Sequence, residues 1–268
     1  MPGACFAGWQ LVPAARLERP IAPVAACGIA EVDVLTGGLP RGALTEICGL
    51  ASSGRTSLLL AALAQATRRQ EICALVDATD GFDPHSAAAA GVELERLLWI
   101  RCSGTAIRHQ PAPANQWSSV ASAGCKRSST GNWRLPTDNW FWCLEQALKV
   151  TDLLLQGGGF GLVAVDLAGV PAEYARRVPL ASWFRFRRAV EPTRTVLLVV
   201  EQEPHAKSCA SLVLRTSGQS PVVSCPSLTD TQLFQGISAR VEVVRAGVDV
   251  AKKPSRSTAF STQLSAIS

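Results

Sequence analysis

The residues Gly49-Leu50-Ala51-Ser52-Ser53-Gly54-Arg55-Thr56-Ser57 carry the clearest chemical signature in the chain. Their spacing is that of a phosphate-binding loop, G-x-x-x-x-G-K-[ST], with arginine at the lysine position. Leu44-Thr45-Glu46-Ile47-Cys48 before it predicts a short buried strand. Leu58-Leu59-Leu60-Ala61-Ala62-Leu63-Ala64 after it predicts the start of a helix. In that setting backbone N–H groups and the positive end of a helix dipole converge on an anion. Gly49, Ser52, Ser53, Gly54, Arg55, Thr56 and Ser57 are the candidate nucleotide-binding residues. The alternative is a glycine turn that only joins strand to helix. Arg55 alters the chemistry, because lysine is a compact point charge on a slim stem and guanidinium is planar and forked. Binding is compatible with that exchange; efficient hydrolysis is less so.

Two apolar stretches end in a carboxylate, Ile72-Cys73-Ala74-Leu75-Val76-Asp77 and Gly161-Leu162-Val163-Ala164-Val165-Asp166. The second has the form of a Walker B strand, whose acid holds the coordination shell of a magnesium ion. Thr56 and Asp166 are therefore the candidate metal ligands. Arg176, Arg177, Arg185, Arg187 and Arg188 crowd one region with Trp183, Phe184 and Phe186. That patch is either a nucleic-acid or protein docking face or an amphipathic covering helix with snorkelling arginines. The 9 cysteines are scattered without a C-x-x-C pair, which argues against a zinc site or disulfide framework and for a reducing cytoplasm.

The elements that must position these groups follow from the rest of the chain. Its 268 residues, 47% hydrophobic and 18% charged, suit one large α/β domain with extra segments. No apolar run reaches membrane-spanning length, and no secretory leader is expected. The net charge of +5 permits a nucleic-acid or acidic-protein partner without requiring one. Strand patterns at Leu97–Ile100 and Thr195–Val200 join those above, separated by helix patterns from Asp83 through Ala90 and from Asn139 to Leu155. This alternation predicts a mostly parallel sheet with helices on both faces and ligands at the strands' carboxyl ends. Ser211–Arg215 and Ala239–Arg245 read as edge strands. The expected layout is an irregular lead-in over 1–27, a nucleotide-binding core over 28–250 and a flexible tail over 251–268. Residues 103–138 form a Ser- and Trp-rich insertion in the core, in which Trp117 and Trp133 either stack on bases or anchor the loop.

In order along the chain, these residues resemble the bacterial RecA-type recombinases. Gly37-Gly38-Leu39-Pro40-Arg41-Gly42, Glu46-Ile47 and the Gly49–Thr56 loop look like that family's entry to its phosphate site. Asp77-Ala78, Asp83-Pro84, Leu144-Glu145-Gln146-Ala147-Leu148, Val165-Asp166, Val199-Val200-Glu201-Gln202 and Arg240–Arg245 continue the match. The resemblance implies a RecA-like P-loop core that takes ATP and Mg2+, with Asp83 meeting the adenine amino group and Gln202 sensing the terminal phosphate. The departures imply a changed mechanism. The hydrolytic glutamate falls on Thr79, leaving Asp80 and Gln202 as catalytic candidates and no intact catalytic set. The adenine-stacking residue falls on Ser86. The DNA-binding loop is cut to Pro204-His205-Ala206-Lys207, and two lysines that act on a neighbour's ATP correspond to Arg245 and Gly247. The chain is similar, more loosely, to shortened RecA relatives of ImuA type. That implies an accessory role in damage-induced translesion synthesis, in the SOS response, with single-stranded DNA, an error-prone polymerase or RecA subunits as partners. An active DNA-dependent ATPase and an interaction module that binds no nucleotide are the alternatives.

Overall fold

The structure, a computed structural model, describes residues 23–102, 139–218, 236–247 and 257–263. The insertion over 103–138 and most of the lead-in lie outside the described residues. The strands are β1 (Val24–Ala25), β2 (Leu39–Pro40), β3 (Ala43–Cys48), β4 (Cys73–Asp77), β5 (Leu97–Arg101), β6 (Leu162–Asp166), β7 (Val196–Glu201), β8 (Ala210–Gly218), β9 (Gly236–Ala246) and β10 (Ser257–Gln263). Between them run α1 (Ala30–Thr36), α2 (Arg55–Arg68), α3 (Pro84–Ala89), α4 (Asn139–Gly157), α5 (Ala172–Ala175) and α6 (Leu180–Val190). Gly37, at φ 79°, ends α1 in the left-handed conformation that glycine adopts without penalty.

Eight strands form one sheet in the order β10-β9-β8-β3-β7-β6-β4-β5. The six from β8 to β5 are parallel, while β9 and β10 run antiparallel at one side. This is the mostly parallel α/β architecture that the alternation of patterns predicts. Successive strand residues point to opposite faces, so each strand supplies two cores. Ile47, Leu75 and Leu198 pack with Leu58, Leu59 and Leu63 of α2 on one side. Leu44, Val163 and Leu197 pack with Leu144 of α4 and Trp183 and Phe186 of α6 on the other.

Three expectations are corrected. β8 lies between β3 and β9, and β9 between β8 and β10, so neither is an edge strand. Their exposed alternate residues reflect a thinly covered end of the sheet, not unpaired backbone. Part of the tail expected to be flexible forms β10, which pairs from Ser257↔Glu242 to Gln263↔Gly236 and buries Phe260. Trp183 is not on a docking face: it is 1% exposed and meets Phe186 edge-on at 5.9 Å between ring centroids. The helical period of α6 turns Trp183, Phe186 and Val190 inward together and leaves Phe184 and the arginines outside.

Trp183→Ala is expected to cost about 3–5 kcal/mol in chemical denaturation, the range for deleting a buried aromatic side chain. Trp183→Phe should cost far less, because the indole N–H has no partner to lose.

Candidate phosphate-binding site

The loop that joins β3 to α2 is built by backbone constraints. Ser52 at φ 59° and Gly54 at φ 90° are both left-handed, which curls the chain into a concavity ahead of the helix. Gly49 cannot be replaced by a larger residue: a Cβ there would sit 2.4 Å from Thr216 Oγ1 and 2.5 Å from Ser53 Oγ. Ser53 is buried, and its hydroxyl meets that of Thr216 on β8 at 2.8 Å. Ser53 therefore ties the loop to the sheet instead of offering its side chain outward. Thr56 is exposed in the first turn of α2 and Ser57 is half-buried beside it. That turn leaves backbone N–H groups without intrahelical acceptors, as an anion cradle requires.

Arg55 points inward. Its Nη1 donates to the carbonyl oxygens of Gly49 at 2.5 Å and Glu201 at 3.1 Å, and its Nη2 to that of Ala168 at 3.2 Å. These carbonyls mark the carboxyl ends of β3 and β7 and the turn after β6. The side chain is buried, and desolvation lowers its pKa while the nearby Asp166 carboxylate works the other way. Gln202 Nε2 donates to the same Ala168 carbonyl at 3.2 Å and to that of Val170 at 3.3 Å. The loop arginine and the glutamine after β7 thus share one acceptor.

Asp166 ends β6 beside Asp77 on β4, its register partner. Burial pushes the Asp166 carboxyl up to about 6 although the Ala168 N–H donates to it at 2.8 Å; Asp77 adds to the rise and Arg55 opposes it. Asp77 itself has a structural task. Its carboxylate accepts N–H bonds from Thr79, Gly81 and Phe82 and from the Trp99 indole, at 3.0–3.3 Å, and so wraps the β4–α3 loop around itself. Gly49, Asp77 and Asp166 do gather at the carboxyl ends of the strands.

Thr79, where a hydrolytic carboxylate would stand, packs against Gly169 and brings no acid. Asp80 is drawn toward the sheet's outer side, where both carboxylate oxygens meet Arg101 at 2.5 Å. Arg101 also lies 4.9 Å above the Trp99 ring. Asp83 caps α3, accepting from the His85 and Ser86 amides and from the Ser86 hydroxyl at 2.5 Å. Those bonds hold its carboxyl below the usual aspartate range. A cavity of about 480 Å3 between the start of α1, α2 and α3 is lined by Ser57 and Ser86 and reaches Arg68 and Ser261. Among the described residues, no aromatic ring lines it.

The basic patch is dispersed rather than pooled. Arg176 pairs with Glu203 at 2.6 Å, Arg185 with Asp152 at 3.0 Å, and Arg187 donates to the Ser208 carbonyl at 3.2 Å. Arg177 lies over the Tyr174 ring and Arg188 is exposed. Arg245 donates to the Lys207 carbonyl.

A model of the RecA N-terminal domain matches residues 18–105. Protein RecA of Ectopseudomonas oleovorans is 34% identical over 136 residues, which cover 51% of this chain and 28% of that relative. The chain thus aligns with well under half of its curated relative's length. The crystal structure of the RadB recombinase superposes with a TM-score of 0.54, covering 90% of this chain and 96% of that one at 14% identity, a likeness of fold alone. The chain has a RecA-like fold. The six parallel strands carry the matched loop and both acidic strand ends.

One cluster escaped the sequence reading. Glu46 on β3 and Glu201 on β7 are buried on the same face, with His205 from the short loop after β7. Glu46 Oε1 accepts the N–H groups of His205 at 2.8 Å and Ala206 at 2.6 Å, and His205 Nδ1 contacts Glu201 Oε2 at 2.5 Å. The signal that could have found it was a carboxylate inside each of two otherwise apolar strands, which burial demands be partnered. Burial pushes Glu201 up to about 7 against the His205 bond, with Glu46 adding to the rise. The bond to Glu201 raises His205 as well. Both groups hold a proton more tightly folded than unfolded. Their contribution is therefore complete below their unfolded values and is lost as pH rises, through about 7 for Glu201. Thermal melts across pH 5 to 8 should show wild-type stability falling as pH rises. Glu201→Gln should flatten that slope, a difference on the order of 1–3 kcal/mol.

Proposed function

We propose that this RecA-type chain is a non-recombinase accessory of DNA repair that uses its Gly49–Ser57 loop as a nucleotide-responsive switch rather than as a hydrolytic site. The relatives' names, RecA and RadB recombinase, support repair or recombination as the setting. Within it, an accessory role in damage-induced translesion synthesis accords with the shortened loop over Pro204–Lys207 and the missing hydrolytic carboxylate. The partners under this reading are single-stranded DNA, RecA subunits or an error-prone polymerase, and the compartment is the cytoplasm. Free buried cysteines suit that compartment. Among the described residues, no helix is long and apolar enough to cross a membrane.

The observation that carries the proposal is the position of Arg55. Its charge is spent on the Gly49, Glu201 and Ala168 carbonyls, so the cation that should meet the terminal phosphates instead locks the loop to β7 and to the turn after β6. The rest of the site fits the ligand. Backbone N–H groups line the curl at Ser52 and Gly54, Thr56 presents a hydroxyl, and Asp166 ends its strand close enough to Arg55 for each to shift the other. Thr56 and Asp166 would hold Mg2+, which when bound neutralises phosphate charge. An incoming triphosphate competes with three carbonyls for Arg55. Because Ala168 also holds Gln202, release of Arg55 reaches the exit of β7 and the loop after it. In this reading no residue of the described site orients an attacking water: Thr79 has no carboxylate, Asp80 pairs with Arg101, and the Gln202 amide donates to the Ala168 and Val170 carbonyls.

Titration calorimetry should show saturable binding of MgATP, weakened about tenfold or more in Thr56→Ala. ATP turnover should stay at background with and without single-stranded DNA. DNA-stimulated hydrolysis that disappears in Asp80→Asn would establish the ATPase reading instead. Failure of wild type to bind MgATP, with Arg55→Ala also silent, would establish the nucleotide-free module instead.

A further inference from the structure

The nucleotide reading leaves a second surface without a task. A groove of about 330 Å3 runs between α4 and the turn that leads from α5 into α6. Its floor is apolar: Leu144 and Leu148 face Val178 and Pro179. Phe141, three residues before Leu144 and on the same helix face, stands at the rim 59% exposed. An isolated exposed leucine needs no explanation, whereas an exposed phenylalanine at the rim of an apolar concavity does.

The rim is cationic. Lys149 stands on the α4 side, with Arg177 and Arg185 opposite it, and Glu145 is the only acid among the lining residues. Lys149 pairs with Glu145 at 2.8 Å and Arg185 with Asp152 at 3.0 Å. Exposed pairs of this kind contribute little and exchange readily for another carboxylate. Arg177 has no carboxylate partner among the described residues and rests against the Tyr174 ring. The chain's net charge of +5 disfavours a second copy of itself as the occupant. A phosphate backbone would touch the rim and leave the apolar floor wet. An occupant that satisfies both parts must bring bulky apolar side chains flanked by carboxylates. The wall of the groove is a helical stripe at Phe141, Leu144 and Leu148, whose spacing suits anchors on a second helix.

We infer that this groove docks an acidic amphipathic helix of a partner protein, with Phe141 and the floor taking its apolar face and Arg177 its carboxylates. The site is separate from the phosphate loop, so it stands or falls independently of nucleotide binding. Short random peptides displayed on phage should be selected on the intact chain and counter-selected on the Phe141→Ala/Arg177→Glu double variant. Enriched sequences are expected to carry bulky apolar residues at i, i+3 or i+4 spacing and a net negative charge. In fluorescence anisotropy the best of them should bind each single variant about tenfold or more weakly. Both side chains are exposed, so circular dichroism melts of the variants should match wild type. Enrichment of basic or neutral sequences, no enrichment that depends on the groove, or displacement of the peptide by single-stranded DNA would overturn the inference. So would a concentration-dependent dimer abolished by Phe141→Ala.

Discussion

A buried guanidinium holds three strand ends together in this protein. Desolvating a charge is costly unless it is hydrogen-bonded, and Arg55 makes three such bonds, to the carbonyls of Gly49, Glu201 and Ala168. Those three acceptors belong to the phosphate loop, to β7 and to the turn after β6. Gln202 bonds the same turn through Ala168 and Val170. Loop, acidic strand end and β7 exit therefore form one hydrogen-bonded unit. Lysine gathers its donors on one compact head, whereas the guanidinium spreads them over separate nitrogens, here Nη1 and Nη2, that reach different carbonyls. The exchange of one residue converts a cation that reaches outward into a strut that points inward.

Around that strut, backbone features persist and side-chain chemistry does not. The left-handed turns at Ser52 and Gly54 and the first turn of α2 depend on chain path, and the close approach of Thr216 to Gly49 enforces that path. The hydrolytic apparatus depends on single side chains. Thr79 packs against Gly169, and Asp80 is committed to Arg101 at the outer strand. Under the proposed reading, such a site keeps a backbone able to hold an anion while it lacks the side chains that would activate water.

The short connection after β7 is stabilised by a different device. Glu46 reaches across from β3 to accept two backbone N–H groups of the loop, and Glu201 takes the His205 ring. Glu46 Oε2, Glu201 Oε1 and His205 Nε2 remain buried without partners, so the cluster is held at some cost. Protons retained by Glu201 and His205 reduce that cost, which links loop geometry to pH. The loop is thus fixed from two sides, by Gln202 against the turn after β6 and by His205 against buried carboxylates.

The parallel core was legible from residues alone because its signals are local: glycine spacing in the loop, apolar runs of strand length, and Asp77 and Asp166 at strand ends. Helix period likewise showed that α6 has two unlike faces, but not which aromatic belonged inside; Trp183 became core only once α6 lay on the sheet. The sheet's far side was misread because strand order is a long-range property. Alternation in Ser211–Arg215 and Ala239–Arg245 reads the same for an edge strand as for one covered on a single face, and β10 is recruited from a segment whose composition resembles a tail. Identity at position 55 was plain from the start, along with the prospect of impaired hydrolysis. The direction of its side chain was not, since the Gly49, Glu201 and Ala168 carbonyls are remote in sequence and meet only where parallel strands end side by side.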